Sequence, residues 1–268
     1  SSPVLTGVLF EKEDANLKLT AADGSRLHHA VLLVSAEGSD WKCLADAKML
    51  LKWAKGLPRQ QAKDDIVMGT MVSHTKTYNS TPAPVYGLHV QGIGIANGIA
   101  GSFPDYPKLI PSAAEAKSSF AVERDILKTV IDAVRARAIE TSGIVRLESR
   151  YGDAKLIVSV NGLGETPNPS HKDISKLMES SFGLLYADAE VQLKAEAEAK
   201  YVGLQEELVP ATIQGTIQIA FNWQYLHDML DVIGKGQSIH AAFTEKSSSG
   251  RFDAQGVVFV IMPMFVLW

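Results

Sequence analysis

The sequence predicts an α+β protein built from two copies of one arrangement. Three observations carry this. Strand-like runs come in pairs joined by short polar turns. Amphipathic segments at helical spacing lie between them. The order hairpin, strand, helix, strands then occurs twice along the 268 residues. Such a repeat reads as two domains, 1–111 and 112–268, with an insertion near 165–194.

The first hairpin pairs "VLTGVLFEKE" with "NLKLTAAD" across Asp14-Ala15-Asn16. The Asp-Gly turn of "DGSRL" leads to a further strand, "HAVLLVSAEG". "DAKMLLKWAKGLP" is a helix: Asp46 suits the N-cap, Ala47, Leu50, Leu51 and Ala54 make an apolar face, and Gly56 and Pro58 stop it. Several strands follow between Ile66 and Ile99, and the proline-punctuated "GSFPDYPKLIPS" joins the halves. The second copy opens on "ERDILKTVIDAVRARAIE", a helix with Ile126, Val130, Val134 and Ala138 at i+4 steps. A hairpin with a turn at Gly152-Asp153 follows. After the strand "TIQIAF" comes "NWQYLHDMLDVIG", a helix capped by Asn222 and ended by Gly234. Its inward face is Leu226, Met229, Leu230 and Ile233. The terminal "GVVFVIMPMFVLW" is too short to cross a bilayer, which takes about 20 apolar residues. Val257 to Ile261 suit a strand buried on both faces, and Pro263 ends its pairing.

Composition narrows the classes. At 46% hydrophobic and 21% charged the chain is globular and not disordered. A net charge of −4 gives no bulk attraction to nucleic acid, so any such binding needs a local patch. The single cysteine, Cys43, excludes an internal disulfide and fits a cytoplasmic location. The seven histidines show no metal-ligand spacing. "GIGIANGIAG" lacks the strand-then-helix setting of a phosphate loop, and Ser247, Ser248 and Ser249 lack a nucleophile elbow. No catalytic constellation, metal or cofactor is expected. The helices carry more information. Lys48, Lys52 and Lys55 form one stripe, with Arg59 and Lys63 beyond it. Arg124, Lys128 and Arg135 form another, interrupted by Asp132. One such stripe is commonly a solvated face. Two in an acidic protein suggest sequence-independent phosphate binding.

Taken together, "PVLTGVLFE", "LKLTAADGSRL", "GSFPDYPKLIP", "FNWQYLHDMLDVI" and "FVIMPM", in that order, resemble the bacterial DNA polymerase III sliding clamp, the beta subunit. The resemblance spans nearly the whole chain except the insertion. It implies the middle and last of three clamp domains, each an antiparallel sheet with helices on one face. It implies partners as well: double-stranded DNA, and polymerase and clamp-loader subunits that dock through short linear motifs. No membrane is implied. Carried over residue by residue, the peptide pocket comprises Leu5, Gly24, Arg26, Leu27, Pro104, Leu109, Asn222, Tyr225, Val260, Met262, Pro263 and Met264. Apolar anchors would enter it while Arg26 and Asn222 fix polar atoms. The sequence departs from the family pattern at Ser25, Lys108, Ser142 and the tail Phe265-Val266-Leu267-Trp268. A strand and helix expected before "PVLTGVLF" are not in the sequence, and a ring is expected only if that missing N-terminal part is supplied. The competing reading is a peptide-binding adaptor that does not encircle DNA.

Overall fold

The computed structural model describes residues 2–35, 38–56, 66–78, 81–149, 154–160 and 205–266. The insertion near 165–194, the Gly152-Asp153 turn, Arg59, Lys63, Leu267 and Trp268 lie outside the described residues. Contacts divide the chain into two units, Ser1–Ala113 with Arg251–Met262, and Ala114–Gly250 with Pro263–Trp268.

In the first unit, β1 (Gly7–Glu13), β2 (Asn16–Ala22) and β3 (Arg26–Leu33) form an antiparallel meander. The first turn places Asp14 at φ +49°, a conformation Asp tolerates. β4 (Trp41–Asp46) returns along the outer side of β1 and leads into α1 (Ala47–Gly56). Asp46 caps that helix: its Oδ1 accepts the Met49 amide at 2.8 Å. A separate sheet follows in the order β5 (Met68–Tyr78), β6 (Thr81–Val90) and β7 (Gly94–Ala96).

The second unit opens with β8 (Ser118–Glu123) and α2 (Arg124–Glu140). β9 (Ile144–Ser149), β10 (Lys155–Val160), β11 (Gln205–Pro210) and β13 (Gln218–Asn222) form a sheet in the order β11-β10-β9-β13. The first unit has the same order, β3-β2-β1-β4, so the repeat is one of topology. β12 (Thr212–Gln214) and β14 (Ser238–Phe243) flank β8. α3 (Trp223–Val232) follows β13, as α1 follows β4. The Asn222 side chain caps α3 by accepting the Gln224 amide at 2.9 Å. Leu226, Met229, Leu230 and Ile233 are all buried, as their spacing requires.

The last strands, β15 (Gly250–Ala254) and β16 (Val257–Ile261), extend the first unit's sheet, with β16 antiparallel to β3. Phe259, Val260 and Ile261 are buried. Pairing stops where expected: the Met262 amide donates to Ser25 O at 2.8 Å, and Pro263 has no N–H to donate.

Two helix faces differ from the sequence reading. On α1 the residues packed on the core are Met49, Leu50 and Trp53, while Leu51 and Ala54 are exposed. On α2 the buried apolar residues are Leu127, Ile131, Val134 and Ala138, with Ile126 at the surface. Steps of four drift about 40° each around a helix of 3.6 residues per turn. A run of i+4 steps therefore leaves the core face, whereas spacings of 4, 3 and 4 stay on it.

Candidate functional site

The lysine stripe of α1 is in place. Lys48, Lys52 and Lys55 are all exposed, opposite the packed Leu50 and Trp53. None of the three has an ion pair among those described.

The α2 stripe is different, and the structure corrects it. Arg124 is buried, with only 8% of its surface exposed. Its Nε donates to Leu230 O at 2.8 Å and its Nη1 to Asp125 Oδ1 at 2.7 Å. It ties α2 to the end of α3 and offers no charge to solvent. Lys128 is held between Asp231 at 2.8 Å and Asp132 at 3.1 Å, with His227 Nε2 at 3.4 Å from Nζ. Partial burial works against its charge, but the two carboxylates outweigh it and raise its pKa. Arg135 is exposed, and its guanidinium lies 5.3 Å from the centre of the Trp223 ring. The reason is phase. Arg124 and Lys128 sit on the side of α2 that meets α3, where they reach Leu230 O and Asp231, and not opposite the buried face. Of the six basic residues nominated, α1 supplies three that are exposed and α2 supplies Arg135.

The expected pocket residues fall in both units, and each set is described by itself. In the first unit the Asp23–Arg26 turn is rigidly built. Asp23 Oδ1 accepts the Ser25 and Arg26 amides, each at 3.0 Å, and Oδ2 accepts Arg26 Nε at 2.8 Å. Burial alone would raise the Asp23 pKa, but the Arg26 guanidinium and the two amides lower it below the usual carboxylate range. Gly24 has φ +94°, which any side chain would strain. Leu27 and Val260 are cross-strand partners buried in one cluster with Leu9, Leu44 and Tyr106. They form a floor and not an open surface. Leu109 and Met262 are about half exposed, at 51% and 49%. Leu5 is half-buried and Pro104 exposed. In the second unit the Met264 amide donates to Ala220 O at 2.8 Å, which lays the tail beside the end of β13. Asn222 and Tyr225 stand just beyond, both half-buried. Pro263 is half-buried and Met264 exposed, and Phe265 is 90% exposed. Among the described residues no group of three or more His, Cys, Asp or Glu side chains is placed to hold a metal ion.

No known protein family matches the chain, and no curated protein does. Solved structures do. The DNA polymerase III beta subunit from Thermotoga maritima superposes with a TM-score of 0.69 over 99% of this chain at 18% identity. The sliding clamp from Bacillus subtilis gives 0.69 over 100% at 19% identity, and that from Pseudomonas aeruginosa 0.66 over 98% at 20%. The chain has the sliding-clamp fold. It spans between 58% and 60% of the length of these clamps. The clamp fold accounts for the repeated sheet order and for a helix following the fourth strand of each unit. No helix among the described residues is long and apolar enough to cross a membrane.

Proposed function

We propose that the protein is a sliding clamp, or part of one, that holds duplex DNA without reading its sequence and docks polymerase and clamp-loader peptides. It acts as a non-enzymatic processivity factor. The observation that carries this is the α1 stripe: three exposed lysines that pair with no carboxylate among the described residues, opposite the packed face, on a clamp fold in an otherwise acidic chain. Such charges contact phosphates and discriminate poorly between bases. Arg135 adds to this; Arg124 and Lys128 act in α2–α3 packing.

Peptide docking rests on the residues the resemblance nominates. Leu109, Met262 and Met264 expose apolar surface, and methionine repacks readily around different anchors. The solvent-facing Phe265 leaves Met264 uncovered by that ring. The test has two arms. Duplexes of unrelated sequence should bind with equal affinity, and a clamp-binding peptide should bind wild type but not Met262→Glu, which sets a carboxylate among apolar anchors. Marked preference for one duplex sequence, or undiminished peptide affinity in Met262→Glu, would overturn the respective half.

A further inference from the structure

The chain that follows β7 pairs with β4 only in part. The Ile99 amide donates to Leu44 O at 2.8 Å, and the Asp46 amide donates to Asn97 O at 2.9 Å. Those bonds fix which side of β4 faces outward. Alternate residues of a strand point their main-chain groups to the same side, so Lys42 and Leu44 direct theirs away from β1. Gly101, at φ +132°, then takes the connector off the strand, in a conformation that favours glycine. The Lys42 N–H and C=O and the Leu44 N–H are left without a main-chain partner among the described residues. A strand edge in that state accepts a further extended segment.

Beside this edge, within the first unit, lies a cleft of about 630 Å³. Leu9, Leu44, Val85, Ile99 and Phe103 give it apolar walls. Lys42 and Lys76 give it two ammonium groups, and among the described residues no carboxylate lines it. Lys42 is anchored from behind: Glu11 Oε1 accepts its Nζ at 2.6 Å, while Glu11 Oε2 accepts the Tyr106 hydroxyl at 2.8 Å. Lys76 is exposed and pairs with no carboxylate among the described residues. None of the residues nominated for the peptide pocket or for the lysine stripes lines the cleft.

The cleft is larger and more basic than its counterpart in the second unit. β5 and β6 have eleven and ten residues, whereas β14 and β15, which follow α3 as those follow α1, have six and five. Lys76 and residues 83–86, from the longer hairpin, line the cleft. At the corresponding place, beside Gln218 of β13, the space is about 320 Å³, and Lys117 there is paired with Glu245 at 3.2 Å.

We propose that this cleft binds an acidic, extended peptide segment of a partner protein, at a site separate from the docking pocket. The segment adds to the outer edge of β4 through the main-chain groups of Lys42 and Leu44. Its carboxylates meet the Lys42 and Lys76 ammonium groups, and its apolar side chains rest on Val85, Ile99 and Phe103. In a chain of net charge −4, attraction of an acidic partner needs such a local patch. The inference depends neither on DNA holding nor on the docking pocket, so it stands or falls separately from the proposed function.

The probe is the capped peptide acetyl-Glu-Val-Glu-Tyr-Glu-Val-amide, titrated into the intact protein at low salt. Saturable binding is expected, weakening as salt rises, with new hydrogen-exchange protection at the Lys42 and Leu44 amides. The same peptide with lysine for each glutamate should bind at least about tenfold more weakly. Lys76→Glu should weaken binding of the acidic peptide by a similar factor; it changes an exposed residue, so the variant should fold. A peptide N-methylated at its central residues should lose binding, because it cannot donate to the Lys42 carbonyl. Met262→Glu should bind the probe as wild type does. No saturable binding, equal binding of the lysine peptide, wild-type affinity in Lys76→Glu, or loss of binding in Met262→Glu would overturn the proposal. Tighter binding of a single-stranded oligonucleotide at the same two amides would overturn it too, by assigning the cleft to nucleic acid.

Discussion

Replacing Lys48, Lys52 and Lys55 together by alanine should remove a defined part of the salt dependence of duplex binding. The three side chains are exposed and face away from the Leu50–Trp53 contact, so α1 should keep its packing. Alanine also favours helix. Each lysine that neutralises a phosphate contributes about 0.9 to the slope of log K against log salt, so the triple variant should lose about 2.7. Between about 50 and about 200 mM salt, that slope corresponds to a roughly 40-fold change in affinity that wild type shows and the variant does not. Fluorescence anisotropy of a labelled duplex over a salt series measures it. Lys117→Ala, an exposed lysine paired with Glu245, is the control and should leave the slope nearly unchanged. A triple variant with the wild-type slope would refute the assignment of α1 to DNA.

Arg124→Ala should lower unfolding stability by roughly 2–3 kcal/mol, because it leaves Leu230 O without its charged donor, while duplex binding at low salt should hardly move. Asp23 has a folded pKa below its unfolded value of about 3.9, so its stabilising effect is full above that value and fades as pH falls through the folded one. Asp23→Asn should therefore cost most near neutral pH, and the gap from wild type should close in acid denaturation below about pH 4. Cys43 is buried and its thiol is pushed up to about 12 by desolvation, so a thiol reagent at pH 8 should label it only after unfolding; prompt labelling of the native protein would contradict its burial.

The legible parts of the fold were those fixed by local chemistry. The caps Asp46 and Asn222, the Asp23–Arg26 turn and the stop at Pro263 each depend on a few adjacent residues. Four strands were not legible, the three-residue β12 being too short to show any period. β11 buries only Val209 and so has almost no apolar period. β4 is short, with its buried Cys43, Leu44 and Ala45 set between a lysine and an aspartate. In β8 only Phe120 and Val122 are buried, too brief an alternation to stand out before a long helix. The helix phases failed for another reason: α2 and α1 both carry more apolar residues than one face holds, and the neighbouring element selects among them. The same applies to the basic residues. Charge spacing on α2 suggested a stripe, but Asp231 and Leu230 O, both from α3, take Lys128 and Arg124 out of it. No sequence signal on α2 itself announces those partners, which lie about a hundred residues away.

The most direct test of DNA holding by α1 is an NMR titration of the protein with a short duplex of arbitrary sequence at low salt. The account predicts that amide shifts cluster on α1, at Lys48, Lys52 and Lys55 and the turns between them, with a smaller response at Arg135 and none at Arg124. They should collapse together as salt is raised. Shifts centred elsewhere, with α1 silent, would contradict it.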